Sequence, residues 1–381
     1  MRKAYPAPAG ICQHPFRTWP KHTRQAATTA TKESPQSIAK FSRKHAPAKP
    51  GIHPAASSSV PTVERCCVAC SRMDATQFFD LLSVGECLVE FSRRQEHQQD
   101  NQFRATFAGD AANTLFYGAR LGLRTGFISA VGDDLFTEMI VGGLQSEGID
   151  ITHTLRLPGR RNGLYFIELN EAGDHHFHYW RHDSAATETL LHYSTDRLSR
   201  FVRSSRMLLI SGITLAVMKE PARLVALLES VSAEVTVVLD TNYRPRLWSS
   251  PEEYHRRIAQ VLPHVDILLP SQADLEAAWQ GVTVENLLWH FAEQGVGIIC
   301  MKAGDQGCAI WDDGGLEWFA PPENVRVVDA TGAGDAFNAG FIAGVVQGLS
   351  KPEACALAQQ TASHALAVHG ALNRGFGQGG G

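Results

Sequence analysis

From residue 78 onward, short apolar runs alternate with longer mixed stretches. The runs FFDLLSV at 78–84 and TGFISAV at 125–131 are rich in Leu, Ile, Val and Phe, which predicts buried strands. The longer stretches 220–231 and 251–262 are predicted as helices. Because strands and helices follow one another along the chain, we expect an α/β fold with a central, mostly parallel sheet flanked by helices.

Residues 163–181 interrupt this alternation. GLYFIEL at 163–169 and DHHFHYWR at 174–181 are two extended runs joined at 171–173, which predicts a β-hairpin. Together with the extended stretch after Cys87, it suggests a small β lid with strands at about 87–107 and 163–183. The alternative is an ordinary ribbon at the edge of a sheet.

Residues 1–72 differ in composition from the rest of the chain. They are rich in Pro, Ala, Ser, Thr and basic residues, with Glu33 and Glu64 as the acids, and we expect this extension to be disordered. An organelle-targeting segment is one interpretation. We favour translation starting at Met73, directly before the first predicted strand. The folded domain is then 73–374, and the glycine-rich residues 375–381 are expected to form a flexible tail.

Composition and charge exclude several classes of function. The 381 residues are 44% hydrophobic with a formal net charge of −4, which argues against nucleic acid as the main partner. No apolar run approaches the roughly 18–20 residues that span a membrane. Among eight cysteines, Cys66, Cys67 and Cys70 are close enough to bind metal, but no second ligand cluster follows at zinc-like spacing. Cys300 and Cys308 fall in apolar segments and are predicted core residues.

The candidate chemistry centres on DATGAGD at 329–335. ENVRVV at 323–328 predicts a short strand before it, and the Ala- and Phe-rich residues 335–347 predict a buried helix after it. Glycines at 332 and 334 let a ligand approach the backbone closely, and the N-terminus of a helix attracts anions such as phosphate. Asp335, in the first helical turn, is either a general base beside a phosphoryl group or a simple helix cap.

Four segments together resemble one family. These are VGE at 84–86, AGDAANT at 108–114, KAGDQG at 302–307 and DATGAGDAFNAGF at 329–341. In this order they resemble the ribokinase-like (PfkB-type) sugar kinases, over essentially residues 78–370. The resemblance implies a cytoplasmic enzyme that phosphorylates a sugar hydroxyl with ATP and Mg²⁺. It also implies a ribokinase-like fold with a small β-strand lid that often forms a homodimer.

Three further segments resemble one branch of this family. GLYFIE at 163–168, HYWRHDSAA at 178–186 and DTNYRPRLW at 240–248 are similar to segments of the kinases that act on the sugar acid 2-dehydro-3-deoxygluconate. We therefore expect ATP-dependent formation of the 6-phosphate of that acid. The alternative is a kinase of a neutral ketose or pentose such as fructose or ribose.

The resemblance also implies roles for individual residues. Asp335 matches the catalytic base, and the backbone of Gly332, Ala333 and Gly334 matches the anion hole. The residues that match sugar contacts, besides Asp335, are Gly109, Asn113, Tyr165, Tyr179, Arg181 and Arg244. Those that match ATP contacts are Asn242, Lys302, Gly304, Gly307, Gly332 and Gly334.

The sequence departs from the family pattern at three places. Ala108-Gly109-Asp110 replaces Gly-Gly-Asp, and Ser271-Gln272-Ala273-Asp274 replaces an Asn-x-x-Glu associated with magnesium. Asp274 keeps a carboxylate there and is the candidate metal ligand. Gly370 is followed by Ala371 instead of an acid, which leaves the last substrate contact unassigned.

Two arginines bear on the substrate. Arg181 and Arg244 lie on separate predicted elements that would both face the sugar. A carboxylate gives a guanidinium group a bidentate partner, whereas a neutral sugar does not. We therefore expect a sugar acid. The alternative is that both arginines form structural ion pairs or face solvent.

Overall fold

The larger sheet has nine strands. The computed structural model describes residues 78–93, 102–169 and 175–377. In spatial order the strands are β13 (Gly315–Phe319), β12 (Cys308–Asp312), β11 (Ile298–Lys302), β10 (Ile267–Leu268), β9 (Thr236–Asp240), β8 (Ser205–Ser211), β1 (Phe79–Val84), β4 (Thr125–Val131) and β5 (Thr154–Arg156). Neighbours are parallel except around β12, which is antiparallel to both β11 and β13. This confirms the predicted α/β fold with a mostly parallel sheet.

Helices cover both faces of this sheet. The described residues form α1 (Asp110–Arg120), α2 (Thr137–Ser146), α3 (Thr195–Val202), α4 (Gly212–Val217), α5 (Ala222–Val231), α6 (Pro251–Val261), α7 (Gln272–Ala278), α8 (Val284–Glu293), α9 (Ala333–Gln347) and α10 (Lys351–Leu366). Short 3₁₀ helices lie at Ala185–His192, Pro245–Leu247, Leu262–His264 and Gly304–Gln306.

Alternate residues of the strands enter two separate hydrophobic cores. Along β8, Leu208 and Ile210 pack into the core shared with α5, α6 and α8, whereas Met207 and Leu209 pack into the core shared with α1, α9 and α10. This follows from the two-residue period of a strand, since successive side chains point to opposite faces. The sheet is therefore buried on both faces, and a ligand can reach it only at its edges.

A second sheet of four strands forms the predicted lid. Its spatial order is β3 (Phe103–Ala108), β2 (Leu88–Arg93), β6 (Leu164–Leu169) and β7 (His175–Trp180). The antiparallel pair β6 and β7 confirms the hairpin expected at 163–181. Tyr165 and Tyr179 are opposite each other in this pair and share one face of the sheet.

The strand predicted at 323–328 is wrong. Residues 323–324 form a turn in which Asn324 has a φ of 57°, and the following residues are irregular. The backbone N–H groups of Val328 and Asp329 donate to the Leu366 carbonyl at the end of α10. Because these N–H groups bind the end of a helix, they are not available for hydrogen bonds to a neighbouring strand. The β-branched residues of the segment are typical of a strand, but the tertiary contact determines its conformation.

Some predictions fall on other parts of the chain. The extension 1–72 and residues 378–381 of the tail lie outside the described residues. Of the tail, the Phe376 carbonyl accepts a hydrogen bond from Arg120 Nη1 at 2.7 Å. Within the described ranges, no helix combines the length and the apolarity needed to cross a membrane.

Candidate active site

One cleft gathers most of the residues singled out in the sequence. It lies between the carboxyl ends of the central strands and the small sheet, and its volume is about 1380 Å³. Pockets for a single small ligand are typically about 300–1000 Å³, so this cleft has room for two ligands side by side. The predicted site residues that line it are Gly109, Asn113, Tyr165, Tyr179, Arg181, Asn242, Arg244, Asp274, Lys302, Gly304, Gly332, Gly334 and Asp335.

The turn before α9 is fixed by Asp329. Its carboxylate accepts hydrogen bonds from the Thr331 N–H at 2.8 Å, the Thr331 hydroxyl at 2.7 Å and the Gly370 N–H at 2.8 Å. Gly332 has a φ of 77°, and a Cβ there would lie 2.7 Å from the Ala371 carbonyl oxygen. Only glycine fits this left-handed, crowded position, which brings the start of α9 to the cleft.

The start of α9 faces the cleft with its positive end. The first N–H groups of a helix have no acceptor within the helix, and the helix dipole favours an anion beside them. Gly334 is exposed, and a Cβ there would meet nothing within 4 Å. The Ala333 N–H already donates to the Ala330 carbonyl at 3.3 Å. Of the three predicted anion-hole amides, Ala333 is therefore the one with an internal partner.

Asp335 is joined to α1 by a short chain of hydrogen bonds. Its Oδ2 accepts from Asn113 Nδ2 at 2.8 Å, and Asn113 Oδ1 accepts from the Gly109 N–H at 3.2 Å. Gly109 is required because a Cβ there would lie 2.3 Å from the Glu86 carbonyl oxygen. Since the partner of the Asp335 carboxylate in the described part of the chain is Asn113, the carboxylate does not cap its own helix.

Burial and neighbouring carboxylates raise the pKa of Asp335 to about 8 from its usual 3.8. Burial has the largest effect, followed by the negative charge of Asp110, and Asp240 adds to it. The hydrogen bond from Asn113 and the charge of Lys302 oppose the increase in pKa. A carboxylate that takes up a proton near neutral pH is suited to general-base chemistry.

Lys302 is held inside the site by two partners. Its ammonium group lies 3.0 Å from Asp240 Oδ1 and 2.9 Å from Asn338 Oδ1. Asn338 in turn donates to Asp240 Oδ2 at 2.7 Å. Lys302 ends β11, Asp240 ends β9 and Asn338 is on α9, so this network ties the sheet edge to the helix that carries Asp335.

The inner face of the lid presents two tyrosines. Tyr165 is buried, and its hydroxyl donates to the Glu90 carboxylate on β2. Thr106 donates to the other Glu90 oxygen at 3.1 Å. Tyr179 is 43% exposed, with its ring centroid 5.3 Å from that of Tyr165. Glu90 therefore fixes Tyr165, whereas Tyr179 is open to the cleft.

Arg181 forms a buried ion pair. Its guanidinium contacts the Glu86 carboxylate, and the two side chains are 5% and 2% exposed. The guanidinium carbon also lies 4.1 Å from the centre of the Tyr179 ring, which is a cation–π contact. Burial raises the pKa of Glu86, and Arg181 opposes this. The structural ion pair considered as the alternative for Arg181 is therefore present, while the residue still lines the cleft.

Arg244 is the more accessible arginine. Its side chain is 52% exposed, and Nη1 donates to the Tyr243 carbonyl at 2.9 Å and to Asp274 Oδ1 at 3.4 Å. The neighbouring Asn242 is buried with a φ of 32°, and its amide donates to Asp110 Oδ2 at 3.4 Å. Because the contact with Asp274 is long, Arg244 can turn toward a ligand at little cost.

The predicted metal ligand Asp274 lies in the third position of α7. Its backbone N–H donates to Ser271 Oγ at 3.0 Å, and burial raises the pKa of its carboxyl group, opposed mainly by Arg244. In the described ranges it does not belong to a group of three ligand side chains close enough to share an ion. A lone carboxylate still fits Mg²⁺, which keeps several waters and binds to substrate phosphates.

Several buried polar atoms in the cleft have no partner within the described residues. They are Glu86 Oε2, Asp110 Oδ1, Arg181 Nε and Asn242 Oδ1. A buried polar atom without a hydrogen bond is costly, so a polar ligand that supplies these bonds gains affinity. They mark the floor of the cleft, beside Gly109 and Asp335, as a place for a hydroxyl-rich molecule.

The two glycines predicted to contact ATP after β11 lie at the margin of the cleft, and two tryptophans lie outside its lining. Gly304 lines the cleft in the short 3₁₀ turn after β11, whereas Gly307 packs against the backbone of Phe319, outside the cleft lining. Trp248 packs on Tyr254 with ring centroids 5.2 Å apart, and Trp180 contacts Phe166 on the lid. Neither tryptophan is in the cleft lining.

Sequence reasoning missed Glu86, Glu90, Asp110, Asp240 and Asn338 as parts of the site. Two signals were present in the sequence. Asp240 ends a buried strand at the edge where α/β folds bind ligands. Asn338 is a polar residue in an otherwise apolar helix, one turn after Asp335. The partners of Glu86 and Glu90 are 95 and 75 residues away, so the sequence alone gave no indication of them.

Comparison with known proteins shows the family. Residues 79–374 match the model of the pfkB family of carbohydrate kinases. The 2-dehydro-3-deoxygluconokinase of Dickeya dadantii is 31% identical over 299 residues, covering 76% of this chain and 95% of that protein. The 5-dehydro-2-deoxygluconokinase 1 of Bacillus cereus is 30% identical over 311 residues, covering 76% and 90%.

A solved structure shows the same fold. The putative ribokinase II of E. coli, in complex with ATP and Mg²⁺, superposes with a TM-score of 0.69 at 24% identity, covering 77% of this chain and 94% of that one. The family match extends over most of the chain, and its DATGAGD segment builds the start of α9 in the cleft. The chain therefore belongs to the pfkB family of carbohydrate kinases.

Proposed function

We propose that this protein transfers the γ-phosphoryl group of ATP to the 6-hydroxyl of 2-dehydro-3-deoxy-D-gluconate. The observation that carries the proposal is the position of Asp335, a carboxylate with a raised pKa at the start of α9 in a cleft large enough for two ligands. The name of the 31% identical Dickeya dadantii relative supports the choice of substrate.

The site residues suit phosphoryl transfer, which needs positioning and charge stabilisation more than covalent chemistry. In the proposed step, the sugar oxygen forms a bond to the γ-phosphorus while the bond to the ADP oxygen breaks. Asp335 takes the hydroxyl proton, and Asn113 holds its carboxylate in place. The N–H groups of Gly332 and Gly334 at the start of α9 stabilise the charge on the transferred group, whereas that of Ala333 donates to the Ala330 carbonyl.

The proposed reaction uses Mg²⁺, which binds phosphate oxygens and neutralises their charge. Asp274 is the carboxylate of this chain that would hold the hydrated ion, because it lines the cleft and supplies an oxygen ligand. The E. coli structure in complex with ATP and Mg²⁺ supports the use of both. The residues proposed for the nucleotide side are Lys302, Asn242 and Gly304, which line the cleft. Gly307 lies outside the lining and closes the turn after Gly304 by backbone hydrogen bonds.

Arg244 is the residue proposed to select an acid. Arg181 already pairs with Glu86 and Lys302 with Asp240, whereas Arg244 has a 3.4 Å contact with Asp274. Of these three cations, Arg244 has the longest contact with an acid, so it is the one we propose to bind the substrate carboxylate. We propose that Arg181 acts beside it by holding Tyr179 against the sugar.

The lid is the proposed homodimer interface. Phe103 is 39% exposed and Trp180 is 59% exposed, and both contact Phe166 on the face of the lid away from Tyr165. Exposed aromatic clusters of this kind are typical of protein interfaces. A Trp180→Glu variant should have the mass of a monomer in light scattering if the lid forms the dimer.

We place the enzyme in the cytoplasm, where ATP is available.

A substrate panel tests the proposal. ADP release is measured with 2-dehydro-3-deoxygluconate, 5-dehydro-2-deoxygluconate, fructose and ribose, and kcat/KM should be highest for the first. Arg244→Met should lower kcat/KM for the acids by about 10–100-fold, which corresponds to the loss of one charged hydrogen bond. Arg223→Met, which removes a surface pair with Glu220, is the matched control.

A neutral sugar with the highest kcat/KM would overturn the substrate assignment. An equal effect of Arg244→Met on fructose and on the acids would show that Arg244 does not bind a carboxylate.

A further inference from the structure

Three cysteines from separate elements meet in the core, away from the cleft lining. Cys300 is on β11, Cys308 on β12 and Cys355 on α10, and all three are 0% exposed. Their sulfur atoms all lie within 4.8 Å of one another. In the described ranges, this is the group of metal-ligating side chains that lies close enough to share one ion.

The fold brings these sulfurs to one point. In the antiparallel pair of β11 and β12, Cys300 is opposite Ile310 and Cys308 is opposite Lys302. Cys300 and Cys308 are therefore diagonal neighbours on the same face of the sheet, since side chains two residues apart on a strand share a face. Helix α10 packs on this face and adds Cys355.

The number of sulfur atoms limits which ion can bind here. Structural zinc prefers four ligands, and this group offers three. A bond from a thiolate to a zinc-sized ion is about 2.3 Å, so three sulfurs spaced evenly around one ion lie about 4 Å apart. The sulfur atoms of the cluster lie within 4.8 Å of one another, so small side-chain rotations would bring all three onto one atom.

The apolar surroundings limit the net charge of the ion together with its three thiolates. The cysteines belong to a core with Ile310, Val345 and other apolar side chains. A divalent ion on three thiolates leaves one negative charge, which is costly in such a core. A trivalent atom on three thiolates leaves none. The geometry and the apolar setting therefore favour a trivalent, sulfur-seeking metalloid.

We propose that Cys300, Cys308 and Cys355 form a binding site for trivalent arsenic, taken up as arsenous acid. Each thiol sulfur replaces one hydroxyl group on arsenic, and the thiol proton leaves with that hydroxyl as water. One As(OH)₃ thus reacts with three thiols to give one neutral As(S–Cys)₃ group and three waters. Arsenic remains trivalent, and no group is oxidised or reduced.

Entry needs a local opening of the core, because the sulfurs are closed to solvent. Arsenous acid is small and uncharged at neutral pH, so it can enter when α10 moves briefly from β12. We therefore expect binding to be slow and tight, and the incubation must last until the protein mass is constant.

Native mass spectrometry of the full chain tests this site. Cys12, Cys66, Cys67 and Cys70 lie outside the described residues, so they are first replaced by Ser to remove competing thiols. The reduced protein is then incubated with sodium arsenite. We expect one arsenic per chain and the loss of three protons. This readout does not depend on the proposed kinase activity.

Substitutions in this background assign the site. Cys355→Ala should lower arsenic uptake at least tenfold, whereas Cys87→Ala, which removes another buried thiol, should leave uptake unchanged. If Cys355→Ala fails to fold by circular dichroism, Cys308→Ala replaces it. The proposal is overturned by a background protein that binds no arsenic, by the loss of two protons instead of three, or by full uptake in the folded alanine variant.

Discussion

The pH dependence of the proposed reaction follows from the surroundings of Asp335. A free aspartate with a pKa of 3.8 would be fully ionised from pH 6 to 9, and a rate that depends on it would be constant. Burial and the charge of Asp110 raise the pKa of Asp335 to about 8. At pH 7 about one tenth of the enzyme then has the base ionised, and at pH 9 about nine tenths.

The value of kcat/KM should therefore increase with pH. It reports the ionisation of the free enzyme, so we expect about a tenfold increase from pH 7 to 9 and a slope near one below pH 7. The assay is ADP release at saturating ATP, with the coupling enzymes in excess at every pH. Asp335→Asn should lower kcat by about 10²–10⁴-fold and remove this pH dependence. Asp196→Asn, an exposed acid at the start of α3, is the matched control.

The neighbours of Asp335 provide a second check. Asp110→Asn removes a negative charge that raises the pKa of Asp335, so the increase in kcat/KM should move to lower pH. The direction of this shift in the pH profile tests the effect on Asp335 even if the substitution also weakens sugar binding. A constant kcat/KM from pH 6 to 9 in the wild type, or an unchanged rate in Asp335→Asn, would refute the assignment of Asp335 as the base.

Three further predictions concern stability and coupling. In the folded state Asp335 keeps a proton that the unfolded chain releases, so the free energy of unfolding falls as pH rises from about 4 to 8. Asp335→Asn should therefore stabilise the protein by about 1–3 kcal/mol at pH 8 but not at pH 4, measured by urea unfolding. Lys302→Met leaves Asp240 buried without its cation and should cost about 2–4 kcal/mol in the same measurement, while moving the kcat/KM profile to higher pH. Tyr165→Phe should lower the free energy of unfolding by about 1–3 kcal/mol, because Glu90 loses a buried hydrogen-bond partner. A double-mutant cycle with Glu90→Gln should give a coupling energy of at least about 0.5 kcal/mol. Additive effects of the two substitutions would contradict that hydrogen bond.

Local patterns predicted the elements that depend on local sequence. The run TGFISAV gave β4 with its observed bounds, and FFDLLSV gave β1 to within one residue, because each is a short apolar stretch bounded by polar or turn residues. The DATGAGD segment gave the start of α9, since the need for a left-handed glycine at 332 is visible in the sequence. By contrast, 323–328 has a strand-like composition, and its irregular path is set by a contact with the end of α10.

The pairing of charges in the cleft could not be predicted from the sequence. Arg181 and Glu86 are 95 residues apart, and Lys302 and Asp240 are 62 residues apart. A single chain gives no indication that two distant charged residues meet. An arginine in a motif therefore predicts that a charge is present, but its availability to a ligand depends on the fold.

This charge balance links the base to the substrate. Arg181 and Lys302 each pair with one acid, and Arg244 has a longer contact with Asp274. Among the described residues, Asp110 and Asp335 form no ion pair. Burial and the neighbouring charge of Asp110 raise the pKa of Asp335 to about 8, which suits its carboxylate to accept a hydroxyl proton. If the substrate is the proposed sugar acid, its carboxylate adds a further negative charge, which is tolerated only where a cation can turn to meet it. For the proposed acid substrate, that requirement points to Arg244, whose side chain is 52% exposed.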